Sequence, residues 1–298
     1  MTGFNISAVE RETGISRDVL RMWERRYGFP VPGRDANGER VYPIDQVERL
    51  RSIKRLLDQG HRPGKIVLAA PEELASLAPR RPAPLAAAPG RPSLQPLLDL
   101  LKAHDVPGYQ REMQHRLVRE GLQRFVLDTV APLTVAVGDA WESGSFEVFE
   151  EHFFAEQTSR FLRQAIGTLP ENRASRPRIV LTTPPEEQHM LGLLMAEAIF
   201  ELEQAHCIPL GVQMPLVEIQ RAALGHQADI VGLSISSAFP TRQVLPMLEQ
   251  LRALLPESVA LWVGGAGIER LAAPAGVRLL PLLEDAIAAV GEWRLRPG

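Results

Sequence analysis

Apolar and polar positions follow three different rhythms along the 298 residues. From Arg178 onward, short apolar runs alternate with stretches of helical period, the pattern of a parallel sheet wound on both faces by helices. It predicts strands over 178–183, 206–211, 229–235, 259–263 and 277–280, with helices over about 190–204, 215–225, 241–254 and 283–292. Residues 94–168 keep a helical period broken at Asp105-Val-Pro107, Glu120-Gly121 and Ser143-Gly144-Ser145, which predicts about four helices. Ser145 is the expected cap of the last one. Residues 4–68 read as short helices and a hairpin. Two breaks separate these regions: a proline-rich, weakly periodic stretch over 71–93, and a shorter joint over 170–177.

The first region resolves further. Ser7-Ala-Val-Glu10 reads as a capping box opening a helix that Gly14 ends, and Ser16 caps a second helix, RDVLRMWERRYG. Helix, tight turn with glycine, helix is the helix-turn-helix order. On the second helix Val19, Leu20 and Trp23 fall inward, while Arg17, Arg21, Arg25 and Arg26 fall outward, where guanidinium groups reach phosphates or guanine edges. Asn37-Gly38 marks a hairpin turn that places Arg34 and Arg40 on a two-stranded wing. A helix over 44–59 follows, with Val47, Leu50, Ile53, Leu56 and Leu57 as its core stripe.

Charge agrees with this division. Residues 1–65 hold 11 Arg and 2 Lys against 5 Glu and 4 Asp, a balance of +4, which leaves −7 for the rest of a chain of net charge −3. A basic end on an acidic body suits a nucleic-acid-binding head. Cys207 is the only cysteine, so no intramolecular disulfide forms. No apolar run approaches the roughly 18 residues of a membrane span, and the first residues lack the pattern of an export signal. A cytoplasmic protein without membrane contact is expected.

Two motifs carry the chemistry of the remainder. Trp141 is followed ten and eleven positions later by Glu151 and His152; beyond them Glu187, His189 and Gly192 are spaced acid-x-His-x-x-Gly after the first predicted strand. Loops at the carboxyl ends of strands are where open α/β sheets bind ligands. Neutral imidazole is a good ligand for a borderline transition metal, and a nearby carboxylate orients it.

Together these segments resemble the CarH/LitR-type regulators, in which a MerR-type DNA-binding domain precedes a cobalamin-binding half. The resemblance implies a multidomain α and α/β chain: a winged helix-turn-helix over 1–70, a linker over 71–93, a four-helix bundle over 94–170 capping the cofactor, and a doubly wound, flavodoxin-like domain over 177–298. It implies Arg17, Arg21, Arg25, Arg26 and Tyr27 on the recognition helix and Arg34 and Arg40 on the wing as contacts to double-stranded operator DNA. For adenosylcobalamin it implies Trp141 against the upper axial group, Glu142, Glu151 and His152 beside it, and His189 as the lower ligand of cobalt, oriented by Glu187. Gly192 would let backbone approach the ligand. The family's later Ser-x-Leu maps onto Ser234-Ile235-Ser236, and its Gly-Gly onto Gly264-Gly265, leaving room for the nucleotide tail. This chain departs from the pattern in three places: Glu187 stands where Asp is usual, Ser236 replaces Leu, and Glu142 replaces the His that commonly binds cobalt after light acts. The resemblance further implies a homo-oligomer, dimer or tetramer, whose assembly answers to cofactor and light. A light-insensitive regulator sensing cobalamin or another chromophore is the alternative reading, and a corrinoid-dependent enzyme a more distant one.

Overall fold

The computed structural model describes residues 3–35, 38–58, 61–70, 73–74, 77, 93–170 and 174–295. Asn37 of the expected turn, most of the 71–93 linker and residues 171–173 of the expected joint lie outside the described residues. The chain forms two compact units, residues 1–83 with 142–145, and residues 84–141 with 146–298.

In the first unit, three strands order as β1 (Gly3–Asn5), β3 (Arg40–Pro43) and β2 (Gly33–Arg34), all antiparallel. The strand β1 is absent from the sequence reading, because three residues carry no period. Its presence moves the first cap: α1 (Ile6–Thr13) starts directly after it, and Asn5, not Ser7, accepts from the Ala8 N–H at 2.8 Å. Gly14 then ends α1 in the left-handed region at φ 66°. Ser16 caps α2 (Arg17–Tyr27) as expected, accepting from Val19 N–H. Leu20, Trp23 and Tyr42 are buried with Val47, Leu50, Ile53 and Leu56 of α3 (Ile44–Asp58), while Val19 and Leu57 pack at the edge. Each such large apolar side chain contributes about 1.5–3 kcal/mol. A short helix α4 (Pro63–Ile66) completes the described part of the head.

The second unit opens with the helices α5 (Gln95–Lys102), α6 (Val106–Arg124), α7 (Ala131–Glu142) and α8 (Val148–Ile166). The expected break at Gly121 is present as a bend inside α6, where φ 72° and ψ 157° leave the helical region. Only glycine takes up such a φ without strain. A π-helical stretch, Phe125–Val130, joins α6 to α7. Asp105 caps α6 through Gly108 N–H at 2.9 Å. The cap of α8 is Glu147 and not Ser145, whose hydroxyl instead meets that of Ser143 at 3.1 Å.

The α/β part follows the predicted alternation, with strands β4 (Arg178–Thr182), β5 (His206–Gly211), β6 (Ile230–Ser234), β7 (Ala260–Gly264) and β8 (Val277–Leu280), and helices α9 (Leu191–Leu202), α10 (Leu216–Gly225), α11 (Thr241–Leu254) and α12 (Leu283–Arg294). All pairings are parallel and the order is β5-β4-β6-β7-β8. Strand β6 is buried at every residue, as a central parallel strand must be. Helices α9 and α12 and the bundle share one core on one face of the sheet, in which Leu97, Tyr109, Phe125, Phe154 and Leu162 join Leu194, Ile199 and Phe200. Helices α10 and α11 cover the other face. Among the described residues no helix is long and apolar enough to cross a membrane.

Candidate functional site

The strand order fixes where a ligand sits. Connections leave β4 toward β5 on one side and enter β6 on the other, so the crevice at the carboxyl ends of β4 and β6 is the switch point of the sheet. The loops after those two strands carry Glu187, His189 and Ser236, and Ser234 ends β6. The structure brings Glu187, His189 and Ser236 together.

Glu187 is the centre of that group. Its side chain is 1% exposed, against 55% for His189. One carboxylate oxygen accepts from the backbone N–H of His189 at 2.9 Å and meets imidazole Nδ1 at 2.6 Å. The other accepts from the N–H and the hydroxyl of Ser236, both at 2.8 Å. Burial pushes the Glu187 carboxyl up, but the bonds from His189 and Ser236 outweigh it and hold the group below the usual carboxylate range. His189 is shifted upward, first by its bond to Glu187, against the opposing effect of burial, and further by the charges of Glu187 and of Glu151 on α8. The bundle therefore acts on the loop histidine electrostatically. The backbone of the loop is itself pinned, since Thr183 Oγ1 donates to the Glu187 carbonyl at 2.6 Å and accepts from Gln213 N–H at 2.8 Å. The sequence reading missed Thr183; its only signal is a hydroxyl directly after the first strand.

With Nδ1 committed to a buried carboxylate, Nε2 of His189 is left for a ligand on the half-exposed side of the ring. That is the arrangement a metal-binding imidazole requires. The residues present fit a corrinoid cobalt, with His189 as the donor and Glu187 as its orienting partner. Ser236, a departure from the expected pattern, is the group that anchors Glu187.

The glycines also answer to packing within the protein. A Cβ on Gly192 would lie 2.6 Å from the Ser234 hydroxyl, which would have to turn away to admit it. At Gly265, φ is 102° and a Cβ would lie 2.3 Å from the Ile235 carbonyl oxygen. Gly264 is the milder case, at 3.2 Å from the Leu280 carbonyl oxygen. Gly265 lets the loops after β6 and β7 close on one another.

On the bundle, Trp141 packs half-buried against the shared core, one residue before Glu142 ends α7. Glu151 is half-buried, and His152 points to solvent, its side chain 75% exposed and 3.8 Å from the Glu151 carboxylate. The first turn of α8 is held from below by Glu150, which is buried and pairs with Lys102 at 2.8 Å and His104 at 3.2 Å. Among the described residues no cluster of three or more His, Cys, Asp or Glu has the arrangement of a protein-only metal site.

In the head, Arg17, Arg21, Arg25 and Arg26 are all exposed on α2, as expected. Arg17 pairs with Glu10 at 2.8 Å, Arg25 Nε donates to the Arg21 carbonyl at 3.3 Å, and Arg26 lies over the Tyr27 ring at 5.4 Å. On the wing, Arg34 is exposed and donates to the Gly38 carbonyl at 2.6 Å. Arg40 differs: it is half-buried and bound to Glu24 at 3.1 Å.

Comparison with known proteins agrees with both halves. The family model described as MerR HTH family regulatory protein matches residues 4–72, and the B12 binding domain model matches residues 94–166. The chain is 29% identical over 267 residues to the HTH-type transcriptional repressor CarH of Myxococcus xanthus, covering 88% of this chain and 89% of the relative. It is 29% identical over 274 residues to the HTH-type transcriptional repressor CarA of the same organism, covering 88% and 86%. Among solved structures, the monomethylamine corrinoid protein of Methanosarcina barkeri shares the fold, with a TM-score of 0.54 at 16% identity over 66% of this chain and 96% of that one. The head thus matches a MerR-type helix-turn-helix model, the bundle matches a B12 binding domain model, and the likeness to two transcriptional repressors runs along most of the chain.

Proposed function

We propose that the protein is a light-responsive repressor of the cytoplasm, and that adenosylcobalamin held between bundle and sheet controls its self-assembly and its grip on operator DNA. The observation that carries this reading is the Glu187–His189 pair at the switch point, with Nδ1 bound at 2.6 Å to a buried carboxylate and Glu151 of the bundle acting on the same ring. His189 would bind cobalt from below through Nε2, Glu187 and Ser236 would hold the ring in place, and Trp141, Glu151 and His152 would face the upper side. Bound there, the cofactor supplies a cobalt–carbon bond that green light breaks.

The step from cofactor to DNA follows from avidity. A single helix-turn-helix head makes few phosphate contacts and binds weakly. Heads joined in a dimer or tetramer bind a repeated site with an effective concentration that raises affinity by about 10²–10⁴ without a new contact. A ligand that favours the assembled state by its differential affinity therefore favours DNA binding equally. We assign the chain no catalytic step.

One observation favours a second reading. Glu142 stands where the resemblance expects a histidine, and a carboxylate is a harder ligand than imidazole. A regulator that senses cobalamin without responding to light retains the pocket and loses this group. One experiment separates the two. Retention of a duplex selected by the protein from a randomised pool is measured in a gel, without cofactor, with adenosylcobalamin in the dark, and after green illumination. The proposal expects retention only in the dark, loaded sample. Retention unchanged by light supports the second reading, and retention indifferent to the cofactor overturns both.

A further inference from the structure

The recognition helix of the head bears two acids among its arginines, Asp18 and Glu24, and the second faces the wing. Glu24 lies between Arg21 and Arg25, and its side chain is only 13% exposed. Both carboxylate oxygens are taken by β3: one accepts from Arg40 Nε at 3.1 Å, the other from the Tyr42 hydroxyl at 2.5 Å. Arg40 and Tyr42 are two residues apart on a strand, hence on one face. Tyr42 is fully buried and pairs in register with Phe4 of β1, while Arg40 pairs in register with Arg34 of β2. A chain of direct contacts thus runs from α2 through Glu24 to the strand that carries the wing.

The wing needs such a tie. Its outer strand β2 has two residues, too short a ladder to set an orientation by itself. Burial, and then Glu24, push the Tyr42 hydroxyl well above its ordinary range, so it remains a donor to Glu24 at any working pH. A carboxylate among phosphate-facing arginines would otherwise lower affinity for DNA by its charge.

We propose that Glu24 is a positioning residue for DNA readout: it clamps the wing to the recognition helix through Arg40 and Tyr42, and Arg40 acts through Glu24 without touching a phosphate. The head reads DNA with Arg21, Arg25, Arg26 and Arg34, in a geometry that Glu24 sets.

The test uses the full chain with two probes, a duplex selected by the wild-type protein from a randomised pool and a random-sequence duplex of equal length. Glu24→Gln keeps the shape, removes one negative charge and turns a donor toward Arg40 or Tyr42. If Glu24 acted by charge alone, both affinities would rise. The clamp predicts opposite responses: affinity for the selected duplex falls about tenfold, the equivalent of one charge-assisted hydrogen bond, while affinity for the random duplex holds or rises. Arg40→Ala should lower selected-duplex affinity by a similar factor with an unchanged salt slope, and the double variant should be no weaker than either single one. Arg25→Ala, a phosphate or base contact, serves as comparison and should reduce the slope by about 0.9 if it meets a phosphate. Tyr42→Phe keeps the buried ring and loses one bond; should Glu24→Gln fail to fold by circular dichroism, a selective loss of a few-fold in Tyr42→Phe supports the clamp. Selected-duplex affinity that is unchanged or raised in the folded variants overturns the proposal. So does a salt slope reduced by about 0.9 in Arg40→Ala, which would put Arg40 on a phosphate.

Discussion

Replacing Glu187 by glutamine isolates the role of its charge in the proposed cobalamin site. The carboxylate accepts from four donors, the N–H and Nδ1 of His189 and the N–H and hydroxyl of Ser236, at 2.6–2.9 Å. An amide offers one oxygen and one NH₂ group in the same space, so two of those donors must face another donor. If the oxygen serves His189, the Ser236 N–H loses its partner; if it serves Ser236, the imidazole loses its orienting group. A buried donor left without an acceptor costs about 1–3 kcal/mol, so Glu187→Gln should destabilise the α/β domain by about 2–4 kcal/mol. Loss of an orienting partner weakens metal binding by about 10–100-fold. Urea unfolding of the unloaded protein reads the first effect, and absorbance titration with cobalamin reads the second. Glu187→Asp, which keeps the charge on a shorter arm, should lose much less in the titration. Cobalamin bound as tightly by Glu187→Gln as by the wild type would refute the orienting role.

His189→Ala should leave the fold intact, because the ring is more than half exposed, and should shift the bound cofactor's absorption toward the base-on or free form; an unaltered spectrum contradicts the ligand assignment. Arg21→Ala and Arg25→Ala should each weaken DNA binding at moderate salt and leave the cobalamin titration unchanged, as expected if the DNA contacts belong to the head. Gly265→Ala should cost about 2–4 kcal/mol, since it meets both an unfavourable φ and a carbonyl oxygen at 2.3 Å, and thermal melting checks this. Burial pushes the Glu150 carboxyl up, yet the Lys102 ammonium, the Glu147 N–H and His104 outweigh it and hold it below its ordinary value. A depressed carboxyl stabilises the folded state above its unfolded pKa of about 4.3 and loses that contribution as pH falls through the folded value. The difference in melting temperature between wild type and Glu150→Gln should therefore shrink on acidification below that range; a constant difference contradicts the pairing.

What the sequence shows and hides here follows from the range of each interaction. The alternation of apolar runs located all five strands of the large sheet to within a residue or so, because burial on both faces leaves β6 and its neighbours apolar except at their ends. The glycine turn before α2 was equally plain, fixed by a local backbone need at Gly14. The cap at Asn5 was not, since it depends on the pairing of Gly3 with Pro43, forty residues away in the chain. The same holds for the pairing of Glu24 with Tyr42 across 18 positions, which withdraws Arg40 from the exposed arginines. In the candidate site, Glu187 and His189 were legible from a two-residue spacing, whereas the anchoring of Glu187 by Ser236 spans 49 positions. Gly192 was legible as a close approach to a ligand, whereas its nearness to Ser234, a neighbour only in the folded sheet, was not.

The functional reading rests on His189 as the protein's donor to cobalt, and the electron paramagnetic resonance spectrum of the protein loaded with unlabelled cob(II)alamin tests that most directly. Each line is split by the nitrogen bound below the ring, into three by ordinary nitrogen and into two by nitrogen-15. In protein grown on nitrogen-15, the account predicts doublets, because the donor belongs to the chain. Triplets, unchanged from the free cofactor, would show that the cofactor keeps its own base and that His189 does not bind the metal.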